Sequence, residues 1–190
     1  MISADDYRAA VAGTDLPGHA VKEFVDGEDF DLLGHRYRLH LVDTPAAGIA
    51  ALPMITLGSV LYARRQRPQQ IRRAVIGLYC ETGLAWVRRV GRPYELDGQI
   101  PGLTYAVRDL GRYRWGVYNG HKHTTTVHWA AFGLPLRLTE YVLVHEQAHA
   151  ARGLAWQLRM DRWMPDWRQR QTELADVGRH AWLGDWNEGP

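Results

Sequence analysis

Val142-Leu143-Val144-His145-Glu146-Gln147-Ala148-His149-Ala150-Ala151-Arg152 is the stretch from which the rest of the chain is read. It contains two histidines four residues apart with a glutamate directly after the first. On an α-helix that spacing puts both imidazoles on one face, a single turn apart, where two ring nitrogens can share a Zn²⁺ ion at about 2.0–2.1 Å. A glutamate beside such an ion, but not bound to it, can take a proton from a water that the metal has acidified. Tyr141 to Val144 are apolar and Ala148, Ala150 and Ala151 are small, so the expected helix is buried against a sheet. The alternative is an ordinary core helix whose histidines bond to backbone.

Composition limits what can surround this helix. At 190 residues and 46% hydrophobic, the chain is long enough for one well-buried core, and one core is expected. The first residues, Met1-Ile2-Ser3-Ala4-Asp5-Asp6, are polar and acidic with no apolar run behind them, which predicts a cytoplasmic protein. The apolar stretch from Ala46 to Leu57 carries Gly48 and Pro53 and is shorter than the ~20 residues of a membrane span, so no membrane association is expected. With Cys80 as the single cysteine, a metal would have to be held by histidine and carboxylate. Lys22 and Lys122 are the only lysines among 23 basic residues. Arg64, Arg65, Arg67, Arg72 and Arg73 form a local basic run that reads as a solvated helix start, with nucleic-acid binding as the minor alternative.

Periodicity orders the remaining elements. A short amphipathic helix is expected from Asp5 to Val11. Tyr37, Leu39 and Leu41 alternate with Arg36, Arg38 and His40, predicting a half-buried strand. Two more strands fit Met54 to Leu57 and Val60 to Ala63 around Gly58-Ser59. Pro68 opens a long helix with Ile71, Ala74, Val75, Leu78, Tyr79, Ala85 and Trp86 at helical spacing, and Gly91-Arg92-Pro93 is expected to stop it. Strands follow at Leu103 to Arg108, Arg112 to Tyr118 and Thr124 to Trp129. Helices are expected from Trp156 to Trp163 and from Trp167 to about His180. Five of the eight tryptophans fall after residue 155, which argues that this tail packs back onto the body.

Four segments in this order resemble the YgjP-like zinc metallopeptidases, a group related to SprT-like minimal proteases. They are Gly34-His35-Arg36-Tyr37-Arg38-Leu39, Arg114-Trp115-Gly116, Thr124 to Trp129, and Tyr141 to His149 leading to Met164-Pro165-Asp166-Trp167. The resemblance implies an α+β fold, with a small, mostly antiparallel sheet packed on the motif helix and an edge strand open to an extended peptide. It places a helical extension at residues 1–30 and a single zincin-like metallopeptidase domain at 31–190. It further implies a peptide or protein substrate, Zn²⁺ as cofactor, His145 and His149 as ligands and Glu146 as general base.

One feature departs from the family pattern, which supplies a third histidine shortly after the motif. Here the corresponding place falls near Arg152, and an arginine has no lone pair for a metal. Asp161 and His180 are the candidate substitutes. Tyr141, His128 and Arg152 are candidates for contact with a substrate or an oxyanion. A chain with a weak metal site could also act without catalysis, as a module that binds peptide or nucleic acid.

Overall fold

The computed structural model describes residues 19–43, 54–151, 153 and 155–187. The helix expected from Asp5 to Val11 lies outside these residues. Among them the fold is α+β, but the strands sort into three small groups instead of one sheet, and their pairings divide evenly between parallel and antiparallel. The first sheet runs β2 (Asp29–Leu32), β3 (His35–Val42), β5 (Val60–Arg64), β4 (Met54–Leu57). The second runs β6 (Thr104–Arg108), β8 (Thr124–His128), β7 (Gly116–Asn119), leaving β7 at an edge. In the third group β1 (Ala20–Lys22) lies parallel to β9 (Trp182–Trp186).

The alternation seen in β3 has its expected outcome. Leu39 and Leu41 enter the core while Arg36 and Arg38 stay outside, each directly opposite a carboxylate of β2, Asp31 and Asp29 respectively. Such exposed pairs contribute little, up to about 1 kcal/mol each, so the apolar face does most to set the register. The basic run at the end of β5 is partly tied down, because Arg65 pairs with Asp43 and Arg72 donates to the Gly184 carbonyl.

Helix α1 (Pro68–Asp97) continues past its expected stop and contains Pro93. A proline inside a helix forfeits one backbone hydrogen bond and costs about 3 kcal/mol. Tertiary contacts hold the segment beyond it. Gln147 donates to the Gly91 carbonyl at 2.9 Å, Tyr94 donates to Glu140 at 3.1 Å, and Asp97 accepts from Trp163 Nε1 at 2.6 Å and from Arg162. None of these partners is local to the stretch, so local propensity missed them.

A 3₁₀ turn, Trp129–Gly133, leads from β8 into helix α2 (Leu136–Ala150), which contains the histidine motif. Thr139 Oγ1 ties the start of α2 to the Ala131 carbonyl at 2.8 Å. Helix α2 packs against α1, β7 and β8, and it buries Leu138, Val142, Leu143, Val144 and Ala148. Full burial of a side chain such as Leu143 or Val144 contributes about 1.5–3 kcal/mol, so this helix is a central strut of the core.

The tail does fold back. Helix α3 (Trp156–Trp163) and helix α4 (Trp167–Gly178) pack along α2, and β9 brings Trp182 against Phe24, Phe30, Tyr79 and Trp129 at ring separations of 5.0–6.1 Å. No local pattern announces strand β9, because its partner β1 is more than 160 residues away and only three residues long. Among the described residues no helix is long and apolar enough to cross a membrane.

Gly83 marks where α1 comes closest to the 3₁₀ turn: a Cβ there would fall 2.3 Å from the buried Phe132 ring. Gly83→Ala gains helix propensity but overpacks this contact. The expected outcome is a net loss of about 1–3 kcal/mol, read as a lower midpoint in urea denaturation with unchanged slope.

Candidate active site

The HExxH spacing places His145 and His149 on one face of α2, at its C-terminal end. Their Nε2 atoms face each other 3.2 Å apart. Burial holds both imidazoles below their ordinary pKa, that of His145 down to about 4, with the neighbouring His149 adding to the effect. Both rings are therefore neutral at pH 7, and each can turn a lone pair towards a cation.

Glu146 points to a different neighbour. A Cβ on Gly116 of β7 would lie 2.7 Å from Glu146 Cγ and 3.1 Å from Oε1, so the glutamate lies flat against bare backbone at the edge strand. The residue is half-buried, yet its carboxyl sits deep enough in protein that burial raises its pKa to about 7. A hydrogen bond from the Tyr118 backbone opposes this shift and orients the carboxyl. Glycine is required at 116 because any side chain would displace this carboxyl. The Arg114-Trp115-Gly116 segment carried that signal, but its partner could not be read from the chain.

The other candidate site residues lie in different surroundings. Tyr141 is buried, with its ring 5.6 Å from that of His145, and its hydroxyl is held neutral by burial and by the charge of Glu146. His128 is a satisfied structural histidine, since its Nδ1 accepts from Ala130 N at 3.0 Å and its Nε2 lies 3.4 Å from Asp109. At 2% exposure it offers no surface to a substrate. Asp161 is engaged elsewhere, accepting from Trp167 Nε1 and from Arg168, both at 2.7 Å. His180 is exposed just beyond α4. Neither joins the pair: among the described residues no third His, Cys, Asp or Glu completes a metal-binding group with His145 and His149. Arg152 lies outside the described residues.

The ring of Trp156 was not singled out as a site residue. Its centroid is 5.0 Å from that of His145 and 5.0 Å from that of His149, and Trp167 supports it from behind at 5.4 Å. Ala151 caps α2 in extended conformation, Gly153 has φ +94°, and α3 begins at Trp156, whose indole meets both histidines.

Whether the donors suit zinc can be tested on their spacing. Two nitrogens bound to one tetrahedral ion at about 2.0–2.1 Å lie roughly 3.3 Å apart, close to the 3.2 Å found here. Two neutral imidazoles match the preference of that ion for nitrogen donors.

A family model for the YgjP-like metallopeptidase domain matches residues 8–177. No curated protein and no solved structure matches the chain. With most of the sequence covered by that match, and with the motif helix, the glycine edge strand and the facing histidines in place, the chain belongs to the YgjP-like metallopeptidase family.

Proposed function

We propose that this protein is a zinc-dependent peptidase in which His145 and His149 hold the metal and Glu146 is the general base. The observation that supports it most is the placement of Glu146: next to the histidine pair, wedged against Gly116, with its pKa raised to about 7. A base needs a pKa near the working pH, and burial tunes this carboxyl into that range. A group that only helped to hold the fold would have no such requirement.

His145 and His149 would hold the zinc, and when bound it would supply Lewis acidity to the scissile carbonyl and the attacking water. The chain supplies the rest. The peptide lies along the edge of β7, whose outer backbone groups can pair with an extended strand. Glu146 accepts the proton of the attacking water on a carboxyl oxygen. The Tyr118 backbone hydrogen bond holds the carboxyl in place, and the same group then returns the proton to the departing amine nitrogen. Tyr141 packs against the His145 ring and keeps water from that side.

A second reading is favoured by one observation, the lack of a third ligand among the described residues. In it the chain binds peptide at the same edge but does not cleave.

Two variants separate these readings. Glu146→Gln is expected to leave zinc content unchanged while peptide hydrolysis falls about 10²- to 10⁴-fold; hydrolysis at the parent rate would remove the general base from the account. Gly116→Ala is expected to push Glu146 out of place, with at least a tenfold loss in kcat and a stability loss of about 1–3 kcal/mol. If the alanine variant hydrolyses peptide normally, the wedge against β7 does not matter to the chemistry.

A further inference from the structure

We infer that Trp156 is a positioning residue for the metal, holding both histidine rings through face and edge contact when an ion replaces the hydrogen bond between them. The inference rests on the metal-site reading above and goes beyond it, because it concerns what keeps the ligands facing each other once an ion takes the place of the bond between them.

A metal-ligating histidine is normally oriented from behind. The ring nitrogen that does not touch the ion donates to a carboxylate or a carbonyl, which fixes the ring's rotation and tautomer. His145 has no such partner. With its Nε2 facing His149, the other nitrogen, Nδ1, is buried and has no hydrogen-bond partner among the described residues. The second torsion of a histidine side chain is broad and roughly two-fold, so the ring could turn and aim Nε2 away from its neighbour. In the ion-free chain the Nε2···Nε2 hydrogen bond to His149 opposes this turn, but an ion that takes those lone pairs removes that bond.

Ring packing is the remaining restraint. The three rings of His145, His149 and Trp156 form a nearly equilateral triangle with centroid separations of 4.9, 5.0 and 5.0 Å. The indole meets His149 at a shallow 35° and His145 at 64°. One flat surface thus meets one imidazole obliquely and the other nearly edge-on, which are favourable aromatic arrangements. Tyr141 closes the other side of His145, so that ring is confined between two aromatic neighbours. The indole is itself fixed: Trp167 packs against it, and Trp167 Nε1 donates to Asp161 on α3, the helix that Trp156 begins. Asp161 therefore serves the site indirectly, by holding Trp167, the ring that backs the one meeting the histidines.

Indole is only a hydrogen-bond donor and cannot ligate the ion itself. Its contribution is preorganisation, and loss of an orienting partner of this kind typically weakens metal binding by 10–100-fold.

The test titrates Zn²⁺, and separately Co²⁺, into the metal-free full-length chain and its Trp156→Phe, Trp156→Leu and His145→Ala variants. Thermal melts of the metal-free forms are recorded alongside. The expected result has three parts. Trp156→Leu binds Zn²⁺ 10–100-fold more weakly, Trp156→Phe stays within about threefold of the parent, and His145→Ala loses binding. Co²⁺ also quenches a saturable share of tryptophan emission in the parent, and Trp156→Phe lacks that share while still binding. If Trp156→Leu fails to fold, the comparison of Co²⁺ quenching between the parent and Trp156→Phe decides. Parent-like Zn²⁺ affinity in a folded Trp156→Leu, or unchanged quenching in Trp156→Phe, overturns the inference and leaves the metal site standing. Binding that does not depend on His145, or no binding by the parent, overturns both.

Discussion

Two imidazole nitrogens 3.2 Å apart, on successive turns of one helix, set the constraint that the surrounding structure satisfies. The rings must be neutral, which burial ensures, and they must face each other, which free rotation would not ensure. Helix α2 must also be stiff at its C-terminal end, where helices usually fray. Gln147 meets that need from inside the motif, since its side chain donates to the Gly91 carbonyl of α1 and to the Tyr105 hydroxyl of β6 at 2.9 Å each. The residue between the two histidines' turns thus bolts the motif to two other elements.

This arrangement explains features that would otherwise look like local defects. Helix α1 carries a proline near its end and still continues, because the segment around it receives Gln147 and supplies Tyr94 and Asp97 to α2 and α3. Strand β7 starts with a glycine because Glu146 occupies the space a side chain would fill. The tryptophans of the tail form two groups with different tasks. Trp156, Trp163 and Trp167 brace the end of the motif helix, and Trp182 closes the opposite core over Phe24, Phe30 and Trp129.

What could be read from the chain follows from the range of the interactions involved. The alternation in β3, the helical spacing in α1 and the His-Glu-x-x-His motif are each carried within a dozen residues, and each has its expected structure. The parallel pairings of β1 with β9 and β6 with β8 depend on distant partners, and no local pattern announces them. The site shows the same division. His145, Glu146 and His149 are recognisable from spacing alone, whereas the packing of Gly116 on Glu146 and of Trp156 on both histidines exists only after folding. Asp161 is a reasonable carboxylate to weigh as a ligand, but Trp167 and Arg168 both donate to its Oδ1. His128 likewise finds its bond at the start of the 3₁₀ turn.

The central claim is that His145 and His149 are the protein's metal ligands, and it can be checked by counting the atoms around the ion. X-ray absorption at the zinc edge, on protein purified without added metal and dialysed, reads that shell directly. The account predicts two imidazole nitrogens at about 2.0–2.1 Å with light oxygen or nitrogen scatterers filling the remaining positions. A spectrum without the imidazole signature, or the same spectrum from His145→Ala, would contradict it.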